Sequence, residues 1–489
     1  MPIFVPASLA TWTGGRWTTQ PTAPLSGFAI DSRAVRAGDV FVALKTEKRD
    51  GHEFLSAALA AGACAALVAT PNLSLKLPQL VVSDPLAAFQ AIAREHRRAF
   101  RRPVVGISGS AGKTSTKELL TLVLGGAATG VLATEDNFNK ASIASGAPVT
   151  GAVLATEGNL NNHLGVPLTL TRLDPAAHQF AVVEAGISAP GEMKPLADMI
   201  APDLAIITVI AAAHTLQLGG LEGVAREKSI LPRAVAAGGA AIFPKSCTQF
   251  AAFQDLFVDQ LVLERSTVLR PATLPKHTIH YNVIQRRDET VIAVAFGPPP
   301  PIMFKLRRVT DGMADNAALA IVTALRHGVA RELIQKRLAS WAPPKLRGEI
   351  RREDGRLLYL DCYNANPASM ADALATFLDI APADEPRLFV LGCMEELGVD
   401  APAHHRRLGR TLPLRSNDKL FVIGSQAHEV CAGILEQGDF TKQIQICSSL
   451  EPMSAAIAEW HGAIFVKGSR RYQLEQALAA GAHREVAHA

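Results

Sequence analysis

Between Val104 and Leu120 the chain reads VVGISGSAGKTSTKELL: an apolar run, a Gly-rich turn, a lysine and hydroxyls, then a helical pattern. Residues of these types in this order can hold polyphosphate. The backbone N–H groups of Gly109, Ser110, Ala111 and Gly112 can converge on phosphate oxygens, the next helix adds partial positive charge at its first turn, and Lys113 adds a full one. Thr114, followed by Ser115, stands where such loops present a hydroxyl to Mg²⁺. The strict spacing asks for a glycine at Ile107, and here Gly106 and Gly109 flank the turn instead. The plainer alternative is a tight strand-to-helix connection. A further acid, Glu184, ends the apolar run of FAVVEAG, at the sheet edge where ligands collect. Its oxygen suits Mg²⁺; a solvated strand-end carboxylate is the competing reading.

Three segments would position these residues. Residues 1–98 carry short apolar runs (Val40 to Leu44, Ala65 to Val68, Leu80 to Val82) between Ala-rich helical stretches, which predicts a small α/β domain ending in a basic helix from Phe89 to Arg102. Residues 99–342 alternate strand and helix, with strands at Phe180 to Ala185, Asp203 to Val209 and Ala240 to Phe243 and a helix from Leu221 to Ala236. That alternation predicts a parallel sheet with helices on both faces. After a linker at Pro343 and Pro344, residues 343–489 repeat the pattern at Leu357 to Leu360, Leu388 to Leu391, Leu420 to Ile423 and Ile464 to Val466, a second doubly wound, Rossmann-like domain.

Composition excludes several classes. A chain of 489 residues, 48% hydrophobic, is too long for one core. The net charge of +4 is small and the basic residues are dispersed, so nucleic acid is not an implied partner. The N-terminal MPIFVPASLATWTGG lacks the layout of a signal peptide, and no uninterrupted apolar run is long enough to span a membrane. Six scattered cysteines without a CxxC suit reduced thiols in a cytoplasmic enzyme.

Further motifs make the chain similar to the Mur ligase family, in the branch that adds D-alanyl-D-alanine. DSRAVRAGDVFVAL and DGHEFL, with Asp31, Ser32, Arg33, Asp50, Gly51 and His52, resemble the family's uridine-nucleotide domain. GSAGKTSTKE matches its ATP loop, GNLNNHLGVPLTL its substrate loop, LDCYNANPASM its branch-diagnostic segment, and VKGSR closes the pattern.

The resemblance implies an ATP-dependent ligase that activates the carboxylate of UDP-N-acetylmuramoyl-tripeptide as an acyl phosphate and transfers it to the amine of D-alanyl-D-alanine. Such a site needs cations more than a nucleophilic side chain, and Lys113 is the candidate for phosphoryl stabilisation. The resemblance assigns Mg²⁺, as two ions, to Thr114, Glu184 and His214, with Lys228 carbamylated to ligate the second. A surface lysine is the plain reading of Lys228, on a helix with apolar face Leu221, Val224, Ala225 and Ile230. Asn316 corresponds to the adenine contact, its amide offering donor and acceptor. Arg347 and Asp361 would meet ATP when the domains close. Thr156, Asn159, Asn161 and Asn162, together with Ser32 and Arg33, are expected to contact the UDP-peptide. Tyr363, Asn364 and Asn366 face the dipeptide, and Lys467 and Arg470 hold carboxylates. A monomer is expected.

Some positions depart from the family pattern: Val209 stands for an Asn, Thr215 and Leu216 for Leu-Glu, and Cys393 for an Asp. A His common before Asn316 is absent, while Glu396 is kept. Another amino-acid-adding or folylpolyglutamate-type ligase would share the ATP loop, but YNANP and NLNNHLGVP argue against both; a non-catalytic nucleotide-binding relative is the alternative from another class. Internally, VLATEDNFN (Val131 to Asn139) recurs as VLATEGNLN (Val153 to Asn161). Only the second copy continues into NNHLGVP, so Thr134, Asn137 and Asn139 are read as a spare copy and SIASGAPVTGA as an inserted loop.

Overall fold

The computed structural model describes residues 1–125, 152–211, 215–269, 277–296, 300–353 and 355–478. Among these, three sheets follow one another along the chain. In the first, Gly27–Ala29, Asp39–Val42, Ala65–Val68 and Gln79–Val81 run parallel, and Arg16–Trp17 closes the edge antiparallel. Asp39–Val42 and Ala65–Val68 are buried throughout, as strands covered on both faces must be. The basic helix spans Pro85–Ala99 rather than Phe89 to Arg102. It starts early because the Asp84 side chain accepts from the N–H groups of Leu86 and Ala87, with Pro85 in the first turn. Buried Arg97, near its end, donates to the Ile200 and Ala201 carbonyls and to Asp203, fastening this domain to the next.

The central sheet places Val104–Ser108 between Leu204–Ile207 and His178–Glu184. Beyond His178–Glu184 lies Ala152–Ala155, so the second copy of the repeat enters the sheet. The first copy, with Thr134, Asn137 and Asn139, lies outside the described residues. On the other side Ala240–Pro244, Asp259–Arg265 and His277–Gln285 continue the parallel order, and Glu289–Val294 and Ile302–Arg307 add an antiparallel edge. The helix expected from Leu221 to Ala236 is two, Gly220–Lys228 and Ile230–Arg233, parted at Ser229. Val224 and Ala225 are buried as expected, but Leu221 is 45% exposed: the chain reverses through Gly219 and Gly220, both at positive φ, and leaves the first turn at the surface.

The third sheet runs Glu349–Glu353, Arg356–Asp361, Ala463–Lys467, Arg387–Gly392, Lys419–Ile423 and Ile444–Cys447, parallel except for its first strand. Among the described residues no helix is long and apolar enough to cross a membrane.

Candidate active site

The strand Val104–Ser108 runs into the Gly-rich turn, and the helix Lys113–Leu124 starts directly after it. Gly109 (φ +150°) and Gly112 (φ +80°) are required: a Cβ would stand 1.9 Å from Thr208 Oγ1 at the first and 2.4 Å from Asn316 Oδ1 at the second. Asn316, on the helix Asp311–Arg326, thus lies against the loop. The segment following Leu204–Ile207 shapes the turn. The Ser110 N–H donates to Val209 O (2.8 Å), Ser110 Oγ to Ala211 O (2.9 Å), and the Thr208 hydroxyl to Ala111 O. The Ser110 N–H is therefore engaged within the protein.

The Lys113 ammonium donates to Gly109 O at 2.9 Å. Burial pulls its pKa down; Glu184 opposes this and Arg347 adds to it. Glu184 is buried at its strand end, where Oε1 accepts from Asn161 Nδ2 (2.8 Å) and the Thr114 hydroxyl (3.3 Å). Its Oε2 is buried with no hydrogen-bond partner among the described residues. A free carboxylate oxygen beside a threonine hydroxyl fits a hard divalent cation.

The Glu184 N–H donates to Thr156 Oγ1 (2.9 Å), and Thr156 O accepts from the buried Lys117 ammonium (2.7 Å). Thr156 and Lys117 thus fix the strand end. Lys117 was not singled out from sequence, although its place one helical turn after Lys113 could have drawn attention. Lys228 is 2% exposed, not a surface residue. Burial pushes its amine well down in pKa, with Lys113 adding and Glu227 opposing. His214 lies outside the described residues.

A cavity of about 470 Å³ opens between the central and C-terminal domains. Ser110 to Ser115, Asn159, Asn161, Glu184 and Asn316 line one side; Arg347, Asp361, Tyr363, Asn364, Asn366 and Lys467 line the other. The Arg347 guanidinium stacks 3.8 Å from the centre of the Tyr363 ring and comes within 3.5 Å of Thr114 Oγ1, so the C-terminal domain reaches the phosphate loop. Lys467 is fully buried and pairs with Asp361 at 2.6 Å, its charge met inside the protein. Asn366 caps the helix Pro367–Ile380 in a reciprocal box with Ser369, and Asn364 Oδ1 accepts from the Ala365 N–H.

Other expected residues stand apart from this cavity. Asn162 accepts from the N–H groups of Leu164 and Gly165, capping a short helix. Arg470 pairs with Glu475. In the first domain Ser32 and Arg33 lie on the turn Ser32–Ala34, where the Arg33 side chain holds the Asp31 carboxyl down to about 2. His52 bonds Asp50 at 2.6 Å while its Nε2 accepts from the Ala69 N–H. Sequence reasoning passed over Tyr281, Asp315 and Asp372, which also line the cavity. The Tyr281 hydroxyl donates to Asp315 at 2.8 Å, and burial raises that carboxyl to about 6. The only signal for Asp315 is its place beside Asn316.

Comparison with known proteins agrees with this architecture. The family model for the Mur ligase middle domain matches residues 107–324, that for the Mur ligase glutamate ligase domain residues 346–470, and that for the Mur ligase family catalytic domain residues 24–100. The UDP-N-acetylmuramoyl-tripeptide–D-alanyl-D-alanine ligase of Escherichia coli (strain K12) is 30% identical over 458 residues, 93% of each chain. A crystal structure of MurF from Acinetobacter baumannii superposes with TM-score 0.80 at 25% identity over 98% of each chain. The MurF ligase of Thermotoga maritima in complex with ADP shares the fold, with TM-score 0.74 at 23% identity over 94% of this chain and 97% of its own. With family models matching all three of its domains and relatives that match along nearly its whole length, this chain belongs to the Mur ligase family.

Proposed function

We infer that this chain is an ATP-dependent ligase that joins D-alanyl-D-alanine to UDP-N-acetylmuramoyl-tripeptide, a step of peptidoglycan precursor synthesis. The observation that carries the reading is the interdomain cavity, where the phosphate loop and Glu184 face Arg347, Asp361 and the YNANP segment. The names of the curated relatives support the choice of substrates.

The loop N–H groups of Ala111 and Gly112 and the helix start receive the ATP phosphates, and Asn316 meets the adenine edge. The tripeptide carboxylate attacks the γ-phosphorus, giving acyl phosphate and ADP. Lys113 and Arg347, from opposite sides, offset the charge of the transferring phosphoryl group. The dipeptide amine then attacks the acyl carbonyl and phosphate leaves. Asn159 and Asn161 orient the acceptor peptide; Tyr363, Asn364 and Asn366 orient the dipeptide. The domain at residues 1–98 holds the uridine nucleotide through Ser32 and Arg33, and residues 343–489 close over ATP. Glu184 and Thr114 would hold Mg²⁺, with His214 and Lys228 at a second ion; bound there, the metal neutralises phosphate charge. Burial favours the uncharged form of the Lys228 amine, the form that adds CO₂ to become a carbamate ligand, which supports its modification. A cytoplasmic monomer is the proposed working unit.

The test is phosphate release from ATP with UDP-N-acetylmuramoyl-tripeptide, with and without D-alanyl-D-alanine, and the ligated product read by mass spectrometry. Release and product that depend on both co-substrates are expected. Nucleotide binding without turnover would overturn the reading.

A further inference from the structure

The helix Asp311–Arg326 carries Asp315 and Asn316 into the nucleotide side of the cavity, so the placement of its first turn matters. The first N–H groups of any helix lack partners within it. Here Thr310 accepts from the Met313 N–H, and the Gly312 N–H is met from another domain: it donates to Asp372 Oδ2 at 3.0 Å. Asp372 also accepts from the Thr310 side chain. Seven residues further along the helix Pro367–Ile380, on the same face, Asp379 pairs at 2.8 Å with Arg308, which is 8% exposed and also donates to Arg286 O. Two carboxylates of one C-terminal helix thus grip the segment Arg308 to Gly312. That same helix is capped by Asn366 of the YNANP segment, so the grip joins the dipeptide side of the cavity to its nucleotide side. Gly312 is shaped for this contact, since a Cβ there would stand 2.7 Å from Asp372 Oδ2.

We propose that Asp372 is a positioning residue, a helix cap supplied across the domain boundary that sets the nucleotide-facing helix when the C-terminal domain docks, with Arg308–Asp379 as its second anchor. Its kinetic consequence rests on the ligase reading above; its structural consequence does not. The test is hydrogen exchange of full-length protein without substrates, read on peptides covering residues 309–316. Asp372→Ala is expected to speed exchange roughly fivefold or more, the factor for one lost hydrogen bond. Gly312→Ala should do the same by pushing the carboxylate away. Asp372→Asn, which keeps an acceptor oxygen, should exchange close to wild type. On the Asp372→Ala background Gly312→Ala should add nothing, because the clash has gone. In turnover, Asp372→Ala should raise KM for ATP more than it lowers kcat, since a smaller fraction of the enzyme is docked. Unchanged exchange in Asp372→Ala, or a Gly312→Ala effect of equal size on both backgrounds, would overturn the proposal. An exchange response in a protein that ligates nothing would support the cap and refute the ligase reading.

Discussion

Asn161 donates to one oxygen of Glu184 at 2.8 Å, while the other oxygen is buried without a partner among the described residues. The amide therefore orients the carboxylate of a residue that lines the cavity. Asn161→Ala should lower kcat by about 10- to 100-fold, the usual cost of losing a group that orients a ligating side chain. Phosphate-release kinetics check this, and a variant with wild-type kcat would show that Glu184 is oriented by something else.

Lys113→Ala should lower kcat by about 10³-fold or more, because the ammonium offsets charge that develops during phosphoryl transfer. The fold should persist: the side chain's recorded hydrogen bond is to Gly109 O, and burial already disfavours its charge. Circular dichroism together with turnover separates the two effects. Turnover within about tenfold of wild type would contradict the role.

Lys228→Ala should cut activity by about 10- to 100-fold through loss of an oxygen ligand, with partial recovery when a short carboxylate such as acetate is added. Chemical rescue is the measurement. Full activity without additive would leave Lys228 a packing residue.

His327 gives a stability prediction. Burial holds its imidazole down to about 4, with Arg326 adding, and it lies edge-on to Phe180 at 5.3 Å. As pH falls below the ordinary value of 6.5, the unfolded chain takes up a proton that the folded protein refuses, so stability present above pH 6.5 drains away toward pH 4. The loss should reach about 3 kcal/mol. His327→Gln should flatten that part of the profile, read from urea midpoints at neutral and acid pH; parallel profiles for both proteins would refute it.

Deleting Val131 to Ala152 should leave a folded, active ligase. The strand beside His178–Glu184 is supplied by the second copy of the repeat, and the junction of Gly130 with Val153 restores one VLATE ahead of NLNNHLGVP. A deleted protein that binds ATP but not the UDP-peptide would return Asn137, Asn139 or SIASGAPVTGA to the acceptor site.

The parallel strands were legible because each is a short apolar run bounded by turns, as at Ala65–Val68, which sequence and structure bound alike. The antiparallel edge was not. Ile302–Arg307 buries only alternate residues, Phe304 and Leu306, and its lysine and arginine break up the apolar signal. The phosphate loop could be read because glycine, lysine and hydroxyl each answer a separate demand of a phosphate. Thr156 and Asn162 illustrate the opposite case: a hydroxyl or amide that can meet a substrate can equally cap a helix or hold a strand end, and only geometry distinguishes them. Asp372 left no local trace, since its partner is 60 residues away in another domain.

The loop's attachment to the segment Thr208 to Ala211 bears on the departure at Val209. That residue holds Ser110 through its carbonyl, a group every amino acid carries, so replacing the side chain leaves the turn's outline unchanged. Because three such bonds already fix the turn, its conformational entropy is lost at folding, before any nucleotide arrives. Nucleotide affinity in this chain should consequently tolerate variation in the side chain at 209 and be sensitive to Ser110 and Thr208, whose hydroxyls tie the loop to the neighbouring strand end.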